Sequence, residues 1–333
     1  MKRWIALVLV LLLGSACAES VSPVTGLPLA GDCVRPVILS IVHPADGKQP
    51  WGLQHADILY ESLLSASGHT RYACLFHDAL VSGEAVQAGP VRSIRQNHVK
   101  LADEWQAALL YAGATAGNRR GAPALMDLSS PFYSVQDSRI RPYQSRLKSS
   151  GARRHKAPSN LSVDVSGAAA AIGGSFEAQG WRFAAEDLYG HFPKAAQVVV
   201  DWGNPRYMCT YIYEETHSKY VLKHGKNPAM TWLGSTGEEQ TQLAFSNVIV
   251  QFTDYAWLDG NEWLPDAQLE GSGRAVIFTR GRVIEGTWTF DGFTRFVDAT
   301  GAEIALAPGK TYIAHLPAEG GNLTYESKNM TKK

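Results

Sequence analysis

Two arginines three residues apart, behind a Gly-Pro pair, are the first feature of this 333-residue chain that could carry chemistry. Gly89-Pro90-Val91-Arg92-Ser93-Ile94-Arg95 reads as a helix opening. Proline suits a first helical turn, and Val91, Ile94, His98, Leu101, Ala102 and Trp105 then recur at helical spacing. On such a helix Arg92 and Arg95 share a face roughly opposite the Val91/Ile94/Leu101 stripe. Two guanidiniums beside unpaired helix N–H groups can hold a phosphate or a carboxylate in bidentate geometry. The same pair would serve equally well as structural ion pairs with Asp57, Glu61 or other carboxylates.

Asp57 and Glu61 form a second candidate. In a strand they point to one face, where two carboxyls with divided pKa values can act as acid and base on a glycopolymer. They can equally be a charge ladder or counter-ions to the arginines. Arg71 lies on the facing strand of a hairpin, and the register decides whether it meets the face of Glu61 or the opposite one. A third candidate is the basic loop with Arg153, Arg154, Lys156 and Asn160, which could fold over Arg92 and Arg95 or lie solvated against an anionic surface.

Motifs for common catalytic machinery are missing: no H-E-x-x-H, P-loop, G-x-S-x-G or C-x-x-C run occurs. Gly271-Ser272-Gly273 reads as a turn or bulge. No histidine or cysteine spacing supports a metal site, although His43, His55, His69 and His77 cluster early in the chain. No cofactor is indicated. His98 falls on the apolar stripe and reads as a core residue. Cys33 and Cys74 could pair, or Cys33, Cys74 and Cys209 could be small buried thiols. Trp202, Trp232, Trp257, Trp263 and Trp288 read as core unless exposure frees them to stack on sugar rings.

The elements that position these residues fall into two parts. Val34–Val42 reads as a buried strand, Asp57–Leu64 and Thr70–His77 as a hairpin, Ala107–Ala112 as a strand and Ala122–Leu128 as a short helix. From Gln197 onward, short runs rich in Val, Ile, Tyr and Trp alternate with turn residues, and Thr279-Arg280-Gly281-Arg282 reads as a tight hairpin turn. The expected fold is a mixed N-terminal domain, α+β or α/β, followed by a mainly antiparallel β C-terminal domain, a sandwich or an open barrel. The expected divisions are a signal peptide at 1–18, a tether at 19–34, the mixed domain at 35–165, a linker at 166–196, the β-rich domain at 197–318 and a fraying polar tail at 319–333.

Composition is that of a globular protein, 45% hydrophobic and 19% charged, with formal net charge +0. That balance argues against nucleic acid as a partner, which requires a basic excess. Met1-Lys2-Arg3, the apolar run Trp4–Leu13 and the small residues Gly14-Ser15-Ala16 before Cys17 have the layout of a secretory signal peptide. Cys17 ends a lipobox-like stretch and would become a lipidated N-terminus, anchoring the protein to the outer side of a bacterial cell membrane. Alternatively, Ala16-Cys17-Ala18 directs ordinary cleavage before Glu19 and leaves a secreted or periplasmic protein.

Several segments together resemble the YerB family of bacterial lipoproteins. They are Thr25-Gly26-Leu27-Pro28, Arg35-Pro36-Val37, the run Gly52–Glu61, Gly68-His69-Thr70-Arg71 and Gly89–Arg95. Arg154–Leu161 is similar to a family loop that carries His between Pro and Asn, where this chain has Ser159. Asn247–Gln251, Gly271–Gly273, Gly286-Thr287-Trp288 and Pro308-Gly309-Lys310-Thr311 extend the match. The resemblance implies two domains and lipidation at Cys17, and supplies no reaction. The expectation is an envelope lipoprotein that binds an anionic wall polymer or a protein partner through an arginine-lined pocket formed by Arg71, Arg92 and Arg95 with Asp57, Glu61, Lys156 and Asn160. The alternatives are a wall hydrolase or transferase using Asp57 and Glu61, or a structural envelope scaffold. Cells fed labelled palmitate should label the wild-type chain and not Cys17→Ala; equal labelling of both would refute the anchor.

Overall fold

The computed structural model describes residues 20–46, 49–114, 132–134, 137–148, 156–174, 177, 179–235 and 239–326. In chain order the principal strands of the first half are β1 (Val37–Ile41), β2 (Ile58–Leu63), β3 (Thr70–Phe76), β4 (Ala108–Tyr111) and β5 (Phe132–Ser134). The second half adds β6 (Gln197–Asp201), β7 (Cys209–Glu214), β8 (Lys219–His224), β9 (Asn247–Thr253), β10 (Ser272–Thr279), β11 (Arg282–Phe290), β12 (Thr294–Val297), β13 (Thr311–Pro317) and β14 (Asn322–Glu326). The helices are α1 (Asp78–Val81), α2 (Gln96–Glu104) and α3 (Val165–Ile172).

One ten-stranded sheet crosses both halves in the order β12-β11-β10-β9-β13-β2-β3-β1-β4-β5. Its N-terminal part is mixed, with β1 antiparallel to β3 and parallel to β4. Its C-terminal part is mainly antiparallel, except where β13 runs parallel to β9 and to β2. Every residue of β1, β2 and β3 is buried, as expected of strands covered on both faces. A six-stranded sheet containing β8-β7-β6-β14 covers one face. Val198, Tyr211 and Leu222 there share a core with Leu59, Tyr72, Val250 and Tyr312. Helix α2 covers the other face, its Val99, Leu101, Ala102 and Trp105 packed among Ile58, Tyr60, Ile277 and Ile313.

The C-terminal half is thus neither a self-contained sandwich nor a barrel: its strands divide between two sheets. Three other segments also differ from expectation. Residues 20–29 are docked rather than a free tether. Val24 is fully buried, the Ser22 and Thr25 hydroxyls donate to Asp78, and Gly309 N–H donates to the Thr25 carbonyl. Asp164 caps α3 by accepting from Gly167 N–H, so the Ala-rich stretch begins as a helix. The remainder of the supposed linker packs down through Trp181, which meets Trp105 and Phe293 edge-on or tilted. The polar tail supplies β14, whose ladder with β6 uses an otherwise open sheet edge. The Thr279–Arg282 turn is as read, with Arg280 and Gly281 both at positive φ. The expected helix over 122–128 lies outside the described residues. Among the described residues, no helix is long and apolar enough to cross a membrane.

Because β2 and β13 exchange backbone hydrogen bonds between the halves, calorimetry should record one cooperative unfolding transition. Ile313→Ala, in the middle of the shared strand, should destabilise that whole transition by about 2–5 kcal/mol. Two resolved transitions, only one of them shifted, would contradict the shared core.

Candidate functional site

The segment Gly89–Arg95 is extended, not helical, and the reason lies in where its amides donate. Gly89 N–H reaches the Trp51 carbonyl, Val91 that of Leu161, Arg92 that of Ser40 and Ile94 that of Gly113. With those donors spent on neighbouring segments, no i→i−4 ladder can start until Gln96. A side chain at position 89 would strike the Trp51 ring at 2.5 Å and the Leu161 carbonyl at 2.6 Å, so glycine is required by close approach. Arg95 caps α2 instead of riding on it, its N–H donating to His98 Nδ1. Arg92 and Arg95 therefore do not share a helix face, and the expected helix-terminus geometry is corrected.

The arginines meet nonetheless. In the β2–β3 register Arg71 pairs with Ser62, not Glu61, so it points to the face opposite Glu61. Its Nη1 donates to the Ser93 carbonyl at 3.1 Å, while its buried Nε has no hydrogen-bond partner. Arg95 donates through Nε to the Trp263 carbonyl and through Nη1 to that of Ile94. Arg92 donates to Ser159 Oγ at 2.7 Å. Arg71 and Arg95 are 4% and 5% exposed, so both guanidiniums are almost dry. Burial, then the field of Arg92, brings Arg71 down to about 10. Burial, then Arg71 and Arg92, brings Arg95 down to about 9. Both remain cations at neutral pH, and each is destabilised by the others.

Among the described residues none of these three arginines forms a salt bridge; the lysine and arginine pairs involve Lys100, Arg139, Arg274 and Arg295. Asp46 exerts a favourable field on Arg71, but its Oδ1 is taken by the Tyr207 hydroxyl. Beside the cluster is a cavity of about 370 Å³ lined by Arg92, Ser93, Gly113, Arg146 and Pro158, among others. Asn160 serves it indirectly: Oδ1 accepts from Arg146 at 3.0 Å and Nδ2 donates to the Leu147 carbonyl. Lys156 is exposed, and its backbone carbonyl closes the turn to Ser159. Arg153 and Arg154 lie outside the described residues, as does Cys17.

Asp57 and Glu61 point to one face as expected, yet among the described residues neither pairs with the arginines, and both are buried. Asp57 is 5% exposed and its Oδ2 accepts from His77 N–H and Asp78 N–H, capping α1. Glu61 is fully buried; Oε1 accepts from the Thr70 hydroxyl, and Oε2 from the Tyr312 hydroxyl and the Cys209 thiol. These contacts contradict an acid–base pair working on a polymer, which needs open space at both carboxyls. Burial raises each carboxyl to about 7, aided at Asp57 by the charge of Asp78.

Sequence reasoning missed Arg146 and Ser159, which sit in stretches without periodicity. It also missed a side-chain cluster on the other face. His43, Cys209 and His224 each offer one ligand atom, all within 4.8 Å of one another. The other early histidines disperse: His55 pairs with Glu84, His77 with Asp78, and His69 meets Ser65 and Ser67. His98 is the expected core residue, pushed down to about 3 by burial and by Arg71 and Arg95. Cys33, Cys74 and Cys209 are free thiols. Trp202, Trp232 and Trp288 are core, Trp257 is half-buried and Trp263 is exposed.

The shared mixed sheet, the arginine-lined cavity and the covering β-sheet define a protein built from two contributing sequence domains. Residues 24–174 match the N-terminal domain, and residues 198–313 the C-terminal domain, of a family described as protein of unknown function (DUF3048). The chain belongs to that YerB-like, two-domain family. Its fold is similar to the crystal structure of YerB protein from Bacillus subtilis, with TM-score 0.72 and 22% identity over 92% of this chain and 100% of that one. No curated protein matches it.

The raised carboxyls carry a stability signature. Unfolded, Asp57 titrates near about 3.9; folded, it holds its proton to about 7. Between those values the native state binds more protons, so stability falls as pH rises, by about 1.4 kcal/mol for each unit crossed. Asp57→Asn keeps the cap acceptor without the charge. Denaturant unfolding at several pH values should give a flatter pH dependence for this variant than for wild type; parallel curves would mean Asp57 stays ionised in the fold.

Proposed function

We propose that this protein is an exported envelope lipoprotein whose N-terminal half binds an anionic envelope ligand, a phosphate- or carboxylate-bearing polymer or protein segment, at the Arg71/Arg92/Arg95 cluster. One observation carries the reading: three guanidiniums lie within each other's field, two of them dry, and among the described residues no carboxylate pairs with any of them. Buried charge is normally paired. A fold that holds mutually repelling cations beside a cavity gains most from an anion, and the neutral carbonyl acceptors leave guanidinium donors to reach it. Arg92 and Arg146 line the cavity itself and supply the direct contacts. Arg71 and Arg95 add field from behind it. The signal-peptide layout and Cys17 support the envelope location. The buried contacts of Asp57 and Glu61 favour no hydrolase reading.

Inorganic phosphate and a soluble phosphodiester polymer are the probes. Either should raise the melting temperature of wild type, by the equivalent of about 2.7 kcal/mol at a hundredfold excess over Kd. Arg92→Ala removes a charged hydrogen-bonding group worth about 1.5–3 kcal/mol, so affinity should fall about tenfold to a hundredfold in calorimetric titration. Arg139→Ala, a surface arginine paired with Asp137, should bind like wild type. Equal loss in both variants would mean nonspecific charge attraction, and no response of wild type to either probe would remove the reading.

A further inference from the structure

From observations independent of the arginine cluster, we infer that His43, Cys209 and His224, with the Glu61 carboxylate beside them, form a buried site for a divalent transition-metal cation of the zinc class. The site lies between the ten-stranded sheet and the six-stranded sheet, and clamps one onto the other.

The backbone assembles it from distant sequence. Cys209 and His224 are directly opposed across the β7–β8 ladder. Such cross-strand pairs hold their Cβ atoms about 4.5–5.5 Å apart, close enough for both side chains to reach one ion. From the opposing sheet come His43, just beyond β1, and Glu61 on β2. His43 Nε2 lies 3.4 Å from Glu61 Oε1, and Cys209 Sγ lies 3.5 Å from Glu61 Oε2. The His43 and His224 rings are 4.6 Å apart between centroids.

One atom there lacks a partner. His43 is fully buried, and its Nε2 makes no hydrogen bond although it faces the cluster. Its Nδ1 accepts from Ala45 N–H at 3.0 Å, which fixes the ring and leaves the metal-free proton on Nε2. Coordination through Nε2 moves that proton to Nδ1 and opens the Ala45 contact. Pro44–Asp46 is a single half-buried turn, and it is the segment that must shift. His224 Nε2 lies 3.0 Å from the Tyr72 hydroxyl. With Nδ1 as ligand, Nε2–H donates to that hydroxyl, the outer bond that commonly orients a ligating ring.

The donor set selects the ion. One thiolate, two imidazoles and one carboxylate suit zinc, whose ligand bonds run about 2.0–2.3 Å in closed tetrahedral sites. Tetrahedral geometry at those lengths needs ligands roughly 3.3–3.8 Å apart, so a cluster spanning 4.8 Å closes by about 1 Å on binding. Thiolate and carboxylate cancel the dication's charge in the dry interior. The Cys209 Sγ proton, and the carboxyl proton that Glu61 holds when the site is empty, leave to solvent as the metal enters. The field of Arg71 reaches His43 and disfavours a cation there; the two anionic ligands act against it.

The test uses the reduced, folded full chain with zinc or cobalt(II) alone. Wild type should retain near-stoichiometric zinc through desalting, melt at lower temperature after chelation, and give a thiolate-to-cobalt charge-transfer band with cobalt. Cys209→Ser should lose the band and the chelator response. His224→Gln, at a half-buried position, should bind zinc at least about a hundredfold more weakly while remaining folded by circular dichroism. Folded wild type with neither retained zinc nor a cobalt band overturns the inference, as does a band that persists in Cys209→Ser. Phosphate titration of the same samples should be unchanged by chelation, so loss of one site is read separately from loss of the other.

Discussion

The parallel seating of β13 between β9 and β2 is the contact on which the rest of the molecule depends. Thr311 stands opposite Asn247 on one side and Ile58 on the other, so a single residue sets both registers. The Asn247 side chain pins it. Its Nδ2 donates to the Ala307 carbonyl and Thr311 Oγ1, and its Oδ1 accepts from the Thr279 hydroxyl and Ala307 N–H. A buried amide satisfied on both ends ties β9, β10 and β13 together, and losing any one bond would strand a dry polar atom. From that register the two faces follow. Tyr312 turns to the six-stranded sheet and lays its hydroxyl on Glu61, while Ile313 turns to the α2 core. A slip of one residue would exchange them.

That exchange matters because the two faces hold opposite kinds of buried polarity. On the Glu61 face a carboxyl is surrounded by hydroxyl and thiol donors, and burial alone lifts its titration toward neutrality. On the Arg71 face, guanidiniums rest on main-chain carbonyls and repel one another. A formal net charge of zero hides this separation completely. Within the ten-stranded sheet, Ser62 and Glu61 are neighbours in sequence, and the strand pleat alone puts Arg71 beyond reach of the nearest acid on β2.

The parts legible in the sequence were those governed by local pattern. Alternation and β-branched runs gave β1, the β2–β3 hairpin and most C-terminal strands, and the Arg280-Gly281 turn was readable from its chemistry alone. Gly89–Arg95 was misread because apolar residues three apart also fit an extended segment buried on both sides. Only the carbonyl acceptors of Trp51, Ser40 and Gly113 decide between them, and those partners lie outside the segment. β14 was missed because Asn322–Glu326 carries little apolar content; its strand exists to satisfy the open edge of β6. Glu61 is legible in the sequence as one of two carboxyls, with Asp57, on a strand face, yet its partners Cys209 and Tyr312 lie 148 and 251 residues away. Arg71 could be placed on a face only once the register was known.

The contrast between the two polar clusters argues for what each would bind. A buried carboxyl can shed its charge by holding a proton, and Asp57, Glu61 and Glu104 do so to about 7. A guanidinium has no such escape at neutral pH, since even a value lowered to about 9 leaves it charged. Its repulsion must be tolerated by the fold or cancelled from outside. Arg95 and Arg71 anchor their guanidiniums through carbonyl acceptors, which fix direction without neutralising charge. Such an arrangement is a preorganised field, offset at Arg71 only by the field of Asp46 among the described carboxylates. Where lysines would relax toward water, arginines locked by packing cannot, so within the described residues their charge is met by carbonyl acceptors and, at Arg71, by the field of Asp46.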